Sequence, residues 1–332
     1  PFSPQQLKRW KKAFAQRYAK AYPQPIACFQ LALWAQKRGM NQEAQKLLHT
    51  VLRYDPNHKG ARRLLGYTQQ KGKWRKWKEI YFQKKAQLAS PPRRKELLQL
   101  ANWCYKVGLY PQAEKIVRIL LRRNNYDQNA IRIFKRLTSH YIPRKLYRFP
   151  LRGRYKILVD KTKHHQRKCF AIWAYDIVQI NEFGKEYQGY GVLNEDYFIW
   201  NKPVYAVADG VVAFVEDKFP DNRPGKVGKF HQANKILIDH QNGEYSFYCH
   251  LKQNSAVVKV GDPVKAGQII ARVGNSGASG RPHLHFTMMD KDYFSLPVWF
   301  ENFLWKGKKG QETLHIKIFA AQPQEGWVIE TK

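Results

Sequence analysis

Between residues 25 and 139, apolar side chains recur at three- and four-residue intervals among Lys, Arg, Gln and Ala, the period of amphipathic helices. Three stretches superpose on their glycines. Leu31, Trp34, Gly39 and Ala44 match Leu64, Tyr67, Gly72 and Trp77, and again Leu100, Trp103, Gly108 and Ala113. Leu47 and Leu48 then correspond to Ile80 and Tyr81, and to Ile116 and Val117. The glycines stand 33 and 36 residues apart, the extra length falling around Pro91 and Pro92. A large residue, a turn glycine and a small residue in this order predict a helix–turn–helix hairpin for each stretch. Asp55-Pro56 closes the first, since proline cannot continue a helix. Residues 5–20 predict one more basic amphipathic helix. From about residue 151 the pattern shortens to β-branched and aromatic runs bounded by Gly, Pro, Asn and Asp. Residues 204–217 predict strand, turn at Asp209-Gly210, strand. Residues 235–251 predict a hairpin closed by Asn242-Gly243, and 257–277 further strand fragments between Gly-Asp and Ala-Gly turns.

The helical period resembles the tetratricopeptide repeat, about 34 residues long, with Trp77 where a small residue is expected. The fold class expected is therefore multidomain: an N-terminal all-α helical-hairpin repeat, tetratricopeptide-like, and a C-terminal, mostly antiparallel β domain. The divisions expected are 1–140 for the basic helical repeats, 141–160 for a linker and first strand, and 161–332 for the β-rich domain.

Charge sharpens that division. The 332 residues carry 59 Lys+Arg and 25 Asp+Glu, a net +34. Residues 1–150 hold 34 basic and 6 acidic residues, and the rest hold 25 and 19, so +28 of the total lies in the helical half. Such a surface concentrates polyanions. Teichoic acids, acidic glycans, anionic headgroups and nucleic acid all qualify, and charge alone does not choose. Trp74, Trp77 and Trp103 can stack on sugars or bases, but Trp77 and Trp103 fall on repeat-core positions and are expected to pack. No run reaches the roughly 18–20 apolar residues of a membrane span, so no transmembrane segment is expected. The chain opens at Pro1 without a secretory-signal pattern, as a mature or trimmed product would. Cys28, Cys104, Cys169 and Cys249 lack C-x-x-C spacing, which disfavours a cysteine zinc site; isolated thiols are expected.

The β half concentrates histidines. His283 and His285 flank Leu284 on a predicted strand, where residues two apart share a face. His250 ends the run EYSFYCH, placing it on one face with Ser246 and Tyr248. A third stretch carries His164, His165 and Asp176, the aspartate inside an apolar strand where a lone carboxylate is costly. Neutral imidazoles and a carboxylate are good zinc ligands, and three of them plus water make an open, catalytic sphere.

With these motifs the second half resembles the lysostaphin-type zinc endopeptidases that cut peptidoglycan cross-bridges. The resemblance runs from about His165 to Phe300. It rests on PVYAVADGVV, Tyr248-x-His250-Leu251, VKVGDPVKAGQII and GNSGASGRPHLHF. Residues 216–234 are similar to a loop insertion of some bacterial members. The resemblance implies zinc ligands at His165, Asp176 and His285. The usual first motif has histidine four residues before aspartate, but position 172 is Ile. Longer-spaced variants favour His165, 11 residues upstream, with His164 the alternative.

His250 and His283 are implied as the catalytic, non-ligand pair. Zinc lowers the pKa of bound water to about 7 and polarises a carbonyl. His283 is expected as general base and His250 as donor to the oxyanion, roles that can be exchanged. Gly274, Gly277 and Gly280 are expected to let an extended peptide lie close. Tyr248, Trp173 and Tyr175 offer groove walls, with core packing the plainer role for each. The activity implied is zinc-dependent hydrolysis of peptidoglycan peptide in a periplasmic or extracellular setting. Residues 1–140 would dock on an anionic envelope polymer or a protein partner. An inactive member regulating another hydrolase is the alternative, and a nucleic-acid-binding repeat protein is a third, disfavoured reading.

Overall fold

The computed structural model describes residues 4–70, 72–158, 165–309 and 312–331. The chain parts into two compact units, Pro1–Ile116 and Val117–Lys332.

The first unit contains α1 (Pro4–Ala21), α2 (Pro25–Gln36), α3 (Asn41–Tyr54), α4 (Lys59–Leu64), β1 (Tyr67–Gln70), β2 (Lys73–Lys76), α5 (Trp77–Ala86), α6 (Arg94–Lys106) and the start of α7 (Tyr110–Arg123). Pro25 opens α2 at a position where its missing N–H costs nothing. Leu31 of α2 packs with Leu47, Leu48 and Val51 of α3. Gly39 takes the left-handed φ of 72° that ends α2, and Met40 N–H donates back to Ala35 O at 3.0 Å. The same closure recurs at Gly108 (φ 83°), where Leu109 N–H donates to Cys104 O at 2.8 Å.

The middle stretch departs from the expected repeat. Gly72 lies between β1 and β2, an antiparallel hairpin, and not between two helices. Thr68, Gln69, Gln70 and Lys73 supply no apolar stripe for a helix to bury. Trp77, in place of a small residue, sets its indole against Gly66, where an added Cβ would lie 2.9 Å from Nε1. Residues 1–116 carry 25 Lys+Arg against 5 Asp+Glu.

The second unit continues α7 and adds α8 (Gln128–Thr138), whose N-cap Asp127 accepts from the N–H groups of Asn129 and Ala130. Its strands are β3 (Gly153–Leu158), β4 (Tyr175–Gln179), β5 (Pro203–Tyr205), β6 (Gly210–Glu216), β7 (Lys235–Asp239), β8 (Glu244–Cys249), β9 (Pro263–Val264), β10 (Ile269–Arg272), β11 (Leu284–Asp290), β12 (Ser295–Leu296), β13 (Phe300–Lys309), β14 (Glu312–Ala321) and β15 (Val328–Thr331). Eleven of them form one sheet in the order β14-β13-β15-β3-β4-β11-β8-β7-β6-β9, with β12 beside β11. Every pairing in it is antiparallel. Strands β5 and β10 pair separately. One face of β4, β8 and β11 buries Tyr175, Ile177, Tyr248, Leu284 and Phe286 in the core.

Residues 141–147, expected within a linker, are packed. Fully buried Glu244 accepts hydrogen bonds from Tyr141 Oη (2.7 Å), Tyr147 Oη (2.6 Å), Asn242 Nδ2 (2.8 Å) and Arg144 N–H (3.0 Å). The four cysteines are buried free thiols. Among the described residues, no helix is long and apolar enough to cross a membrane.

His240 is a histidine of the core. Its Nδ1 donates to Asp209 O at 2.9 Å, leaving Nε2 to accept from Ser246 Oγ at 2.9 Å. Burial lowers its pKa below the ordinary 6.5, so the folded chain refuses a proton that the unfolded chain accepts. The unfolded state therefore binds more protons below about pH 6.5, and stability is full above that value and falls as pH drops through it. Urea unfolding at pH 7.5 and pH 5 is expected to show this loss. His240→Gln should flatten the pH dependence while costing about 1–3 kcal/mol at neutral pH.

Candidate metal centre and groove

Antiparallel register builds the centre. Asp176 of β4 pairs directly with His285 of β11, and His285 pairs on its other side with Cys249 of β8. Ile177, Leu284 and Phe286 hold that register because each neighbour in the strand must face the core. Asp176 Oδ1 lies 3.0 Å from His285 Nδ1 and 3.5 Å from His283 Nε2, and its Oδ2 lies 3.4 Å from His165 Nε2. His165 is not on the sheet. It opens a short 3₁₀ turn, His165–Arg167, whose neighbourhood is tied to the helical segment. Gln128 Nε2 donates to Arg167 O (3.1 Å), Cys169 N–H donates to Asn125 O (3.2 Å), and Trp173 Nε1 donates to Thr138 Oγ1 (3.0 Å). His164, the alternative first ligand, lies outside the described residues.

His250 reaches the same place by a different route. Strict alternation along β8 sends position 250 to the core side with Ser246 and Tyr248. Its φ of 61°, sparsely populated for a residue with a side chain, breaks the alternation just beyond the strand. The ring then stands 4.7 Å from that of His283 and 5.8 Å from that of His285, centre to centre. Gly274 N–H donates to His250 O at 3.0 Å, and His250 Nδ1 donates to Ser276 O at 2.8 Å.

The electrostatics follow from this crowding. Burial opposes the Asp176 charge, but the charges and hydrogen bonds of His283 and His285 hold its carboxyl well below the usual range. Burial, with His283 and His285 nearby, holds His250 well below the ordinary histidine value. Burial also opposes a proton on His283, yet Asp176 raises its pKa. His283 Nδ1 donates to Arg281 O at 2.9 Å. Both non-ligand candidates thus spend their Nδ1–H on a backbone carbonyl, which leaves a lone pair at Nε2 when the ring is neutral.

His165, Asp176 and His285 fit a metal ion. Their three donor atoms all lie within 4.8 Å of one another. The contacts of 3.0 and 3.4 Å bracket the roughly 3.3 Å separating tetrahedral ligands placed about 2.0–2.1 Å from one zinc ion. A metal would displace the proton between His285 Nδ1 and Asp176. The ring N–H must then sit at Nε2, where Thr287 Oγ1, fully buried and 3.2 Å away, accepts it.

A groove of about 1000 Å³ has His165, His250 and His285 in its lining. Five phenylalanines from separate stretches, Phe170, Phe214, Phe230, Phe247 and Phe294, line it. Phe170 meets Phe230 of the 216–234 loop with ring centres 5.9 Å apart. None of the three aromatics considered from the sequence lines it: Tyr175 and Tyr248 are core, and Trp173 anchors to Thr138. The expected glycine rim also works differently. A Cβ on Gly274 would collide with the backbone of Lys252, and one on Gly277 (φ 70°) would come within 2.5 Å of Ala233 Cβ. The space they leave is taken by the chain itself.

Residues 196–296 match the family model described as Peptidase family M23. Over 84 residues the chain is 38% identical to the DD-carboxypeptidase/endopeptidase Mpg of Neisseria meningitidis, covering 25% of this chain and 16% of that protein. It is 47% identical over 51 residues to the murein hydrolase activator EnvC of Escherichia coli, covering 15% and 12%. Against lysostaphin of Staphylococcus staphylolyticus it is 49% identical over 58 residues, covering 17% and 12%. The chain therefore spans no more than about a sixth of these relatives. His250, His283 and His285 fall inside the matched residues, while His165 and Asp176 lie upstream of them.

Zinc titration against a chromogenic chelator is expected to give one tight site per chain, lost in Asp176→Ala and His285→Ala. Thr287→Val should weaken zinc binding roughly 10- to 100-fold, and Thr287→Ser should restore most of it.

Proposed function

We propose that the Peptidase family M23 domain carried by this chain works as a zinc-dependent endopeptidase on peptidoglycan peptide. The reading is carried by one observation: a His165/Asp176/His285 donor set beside the His250/His283 pair in the lining and immediate surroundings of one groove. His165, Asp176 and His285 would hold the ion. When bound, zinc supplies a low-pKa water and a Lewis acid for the scissile carbonyl.

The chain's own residues handle the proton. With Nδ1 pinned by Arg281 O, His283 takes a proton at Nε2 and returns it to the leaving amine. His250, pinned by Ser276 O, also presents Nε2. While neutral it can only accept there, so it donates toward an oxyanion only after taking up a proton, and the two rings share the work. Phe170, Phe214, Phe230 and Phe247 exclude water from the peptide on the groove floor.

The setting proposed is the cell envelope, periplasmic or extracellular. The basic helical residues, within 1–140, would dock on an anionic envelope polymer or a protein partner, and 161–332 would carry the peptidase, with 141–158 packed into the same unit. The match to an activator protein supports one second reading, a domain that regulates another hydrolase without cutting.

Cleavage separates the two. Purified cell walls and soluble cross-link peptides are expected to be cut by the zinc-loaded chain. Chelator should abolish the activity, and His283→Ala should lower kcat by about 100-fold or more. Zinc bound without cleavage of any wall preparation or cross-link peptide would favour the regulator.

Docking has its own check. Lys8, Lys11, Lys12 and Lys20 are exposed on α1. Changing all four to Glu is expected to weaken co-sedimentation with walls about tenfold at low salt, with less effect at high salt. Unchanged binding would overturn the docking role.

A further inference from the structure

Two lysines in the groove have no part in the chemistry above. Lys235 of β7 pairs directly with Cys249, which pairs with His285, which pairs with Asp176. Directly paired residues project to one face, so Lys235 stands in the same row as the candidate metal ligands. Two strand spacings, about 10 Å, separate its backbone from that of His285. Its Nζ lies 5.7 Å from the ring centre of Phe214. Lys168, three residues after His165, holds its Nζ 4.8 Å from the ring centre of Phe230 and 5.8 Å from that of Phe170. Both lysines line the same groove as the histidines.

Neither ammonium group has a carboxylate within 4 Å among the described residues. Glu216 pairs across the strands with Lys235, but its salt bridge is to Lys218 at 3.5 Å. Asp292, an acid of the groove lining, is occupied by Arg118 and Arg122, each at 3.0 Å. Cations held over aromatic rings give up part of their hydration and keep a fixed position. Beside an apolar floor of Phe247 and Leu237, an incoming anion feels them more strongly than it would in open water.

The geometry points to a carboxylate-binding subsite formed by Lys235 and Lys168, so that the preferred substrate is a peptide bearing a free carboxylate within about three residues of the bond cut. This rests on the endopeptidase reading and narrows it. A bridge built only of glycine would leave both ammonium groups covered and uncompensated, a cost paid on binding.

The test uses the full zinc-loaded chain and defined peptidoglycan dimers whose stem carboxylates are either free or converted to carboxamides. The free-acid form is expected to have the higher kcat/KM. Lys235→Gln and Lys168→Gln should each lower it roughly 10- to 100-fold, mainly through KM, while the carboxamide form is cut at an unchanged rate. Lys235→Arg should keep most of the preference. Equal cleavage of both forms by the unaltered chain, or equal slowing of both by the substitutions, overturns the subsite and leaves the endopeptidase reading intact. If neither form is cut, that reading fails, and calorimetry of the same two dimers decides the subsite. Tighter binding of the free acid, lost in Lys235→Gln, upholds it; equal binding overturns it.

Discussion

Asp176 presents a carboxylate, with its side chain only 15% exposed, near the middle of an eleven-stranded sheet. A charge so placed is costly unless partners surround it, and its partners come from separate parts of the chain. His285 and His283 arrive on and just before β11, and His165 arrives on a turn outside the sheet. The register of β4 on β11 makes the meeting possible. A slip of one residue would turn either Asp176 or His285 into the core and expose Ile177 or Phe286 in exchange. The apolar face of the sheet is thus what keeps the polar face assembled.

The third partner depends on packing beyond the sheet. The turn bearing His165 is supported by Asn125, Gln128 and Thr138, residues of the helical segment within the same compact unit. Arg118 reinforces that attachment by reaching both Asp290 (2.7 Å) and Asp292 (3.0 Å), at and just after the end of β11. The β-rich unit is therefore completed by α8 and the end of α7. Of the net charge of +34, +20 lies before that point, in residues 1–116, where acids are few. The candidate metal ligands and the larger share of the net charge thus lie in different units of the chain, with Lys168 and Lys235 among the cations that line the groove.

Much of this was legible in the residues because it depends on local rules. Two imidazoles flanking Leu284 share a side wherever a strand forms, and both approach one carboxylate oxygen. Asp176 stood out as a charge inside an apolar strand. The turns at Gly39 and Gly108 follow from a helix pattern interrupted by a residue free to adopt positive φ. The departures from these local rules have non-local causes. Alternation put His250 beside Tyr248, but a positive φ past the strand end turned it toward the groove. The match at Gly72 concealed a β-hairpin, because spacing was right while the apolar stripe was missing. The groove phenylalanines carried no signal, since each is an ordinary aromatic in its own segment.

The sequence by itself determined the two periodicities, the uneven placement of charge, and a set of histidines and one aspartate able to serve as ligands and bases. Those properties are decided over a few neighbouring residues by backbone stereochemistry and side-chain type. Only the tertiary structure decided which of them meet, which face His250 takes, what supports His165, and that two lysines stand in line with the centre. Asp176 and His285, 109 positions apart, are brought within hydrogen-bonding distance by burial of apolar faces and strand register. Neither is a property of any short stretch of chain.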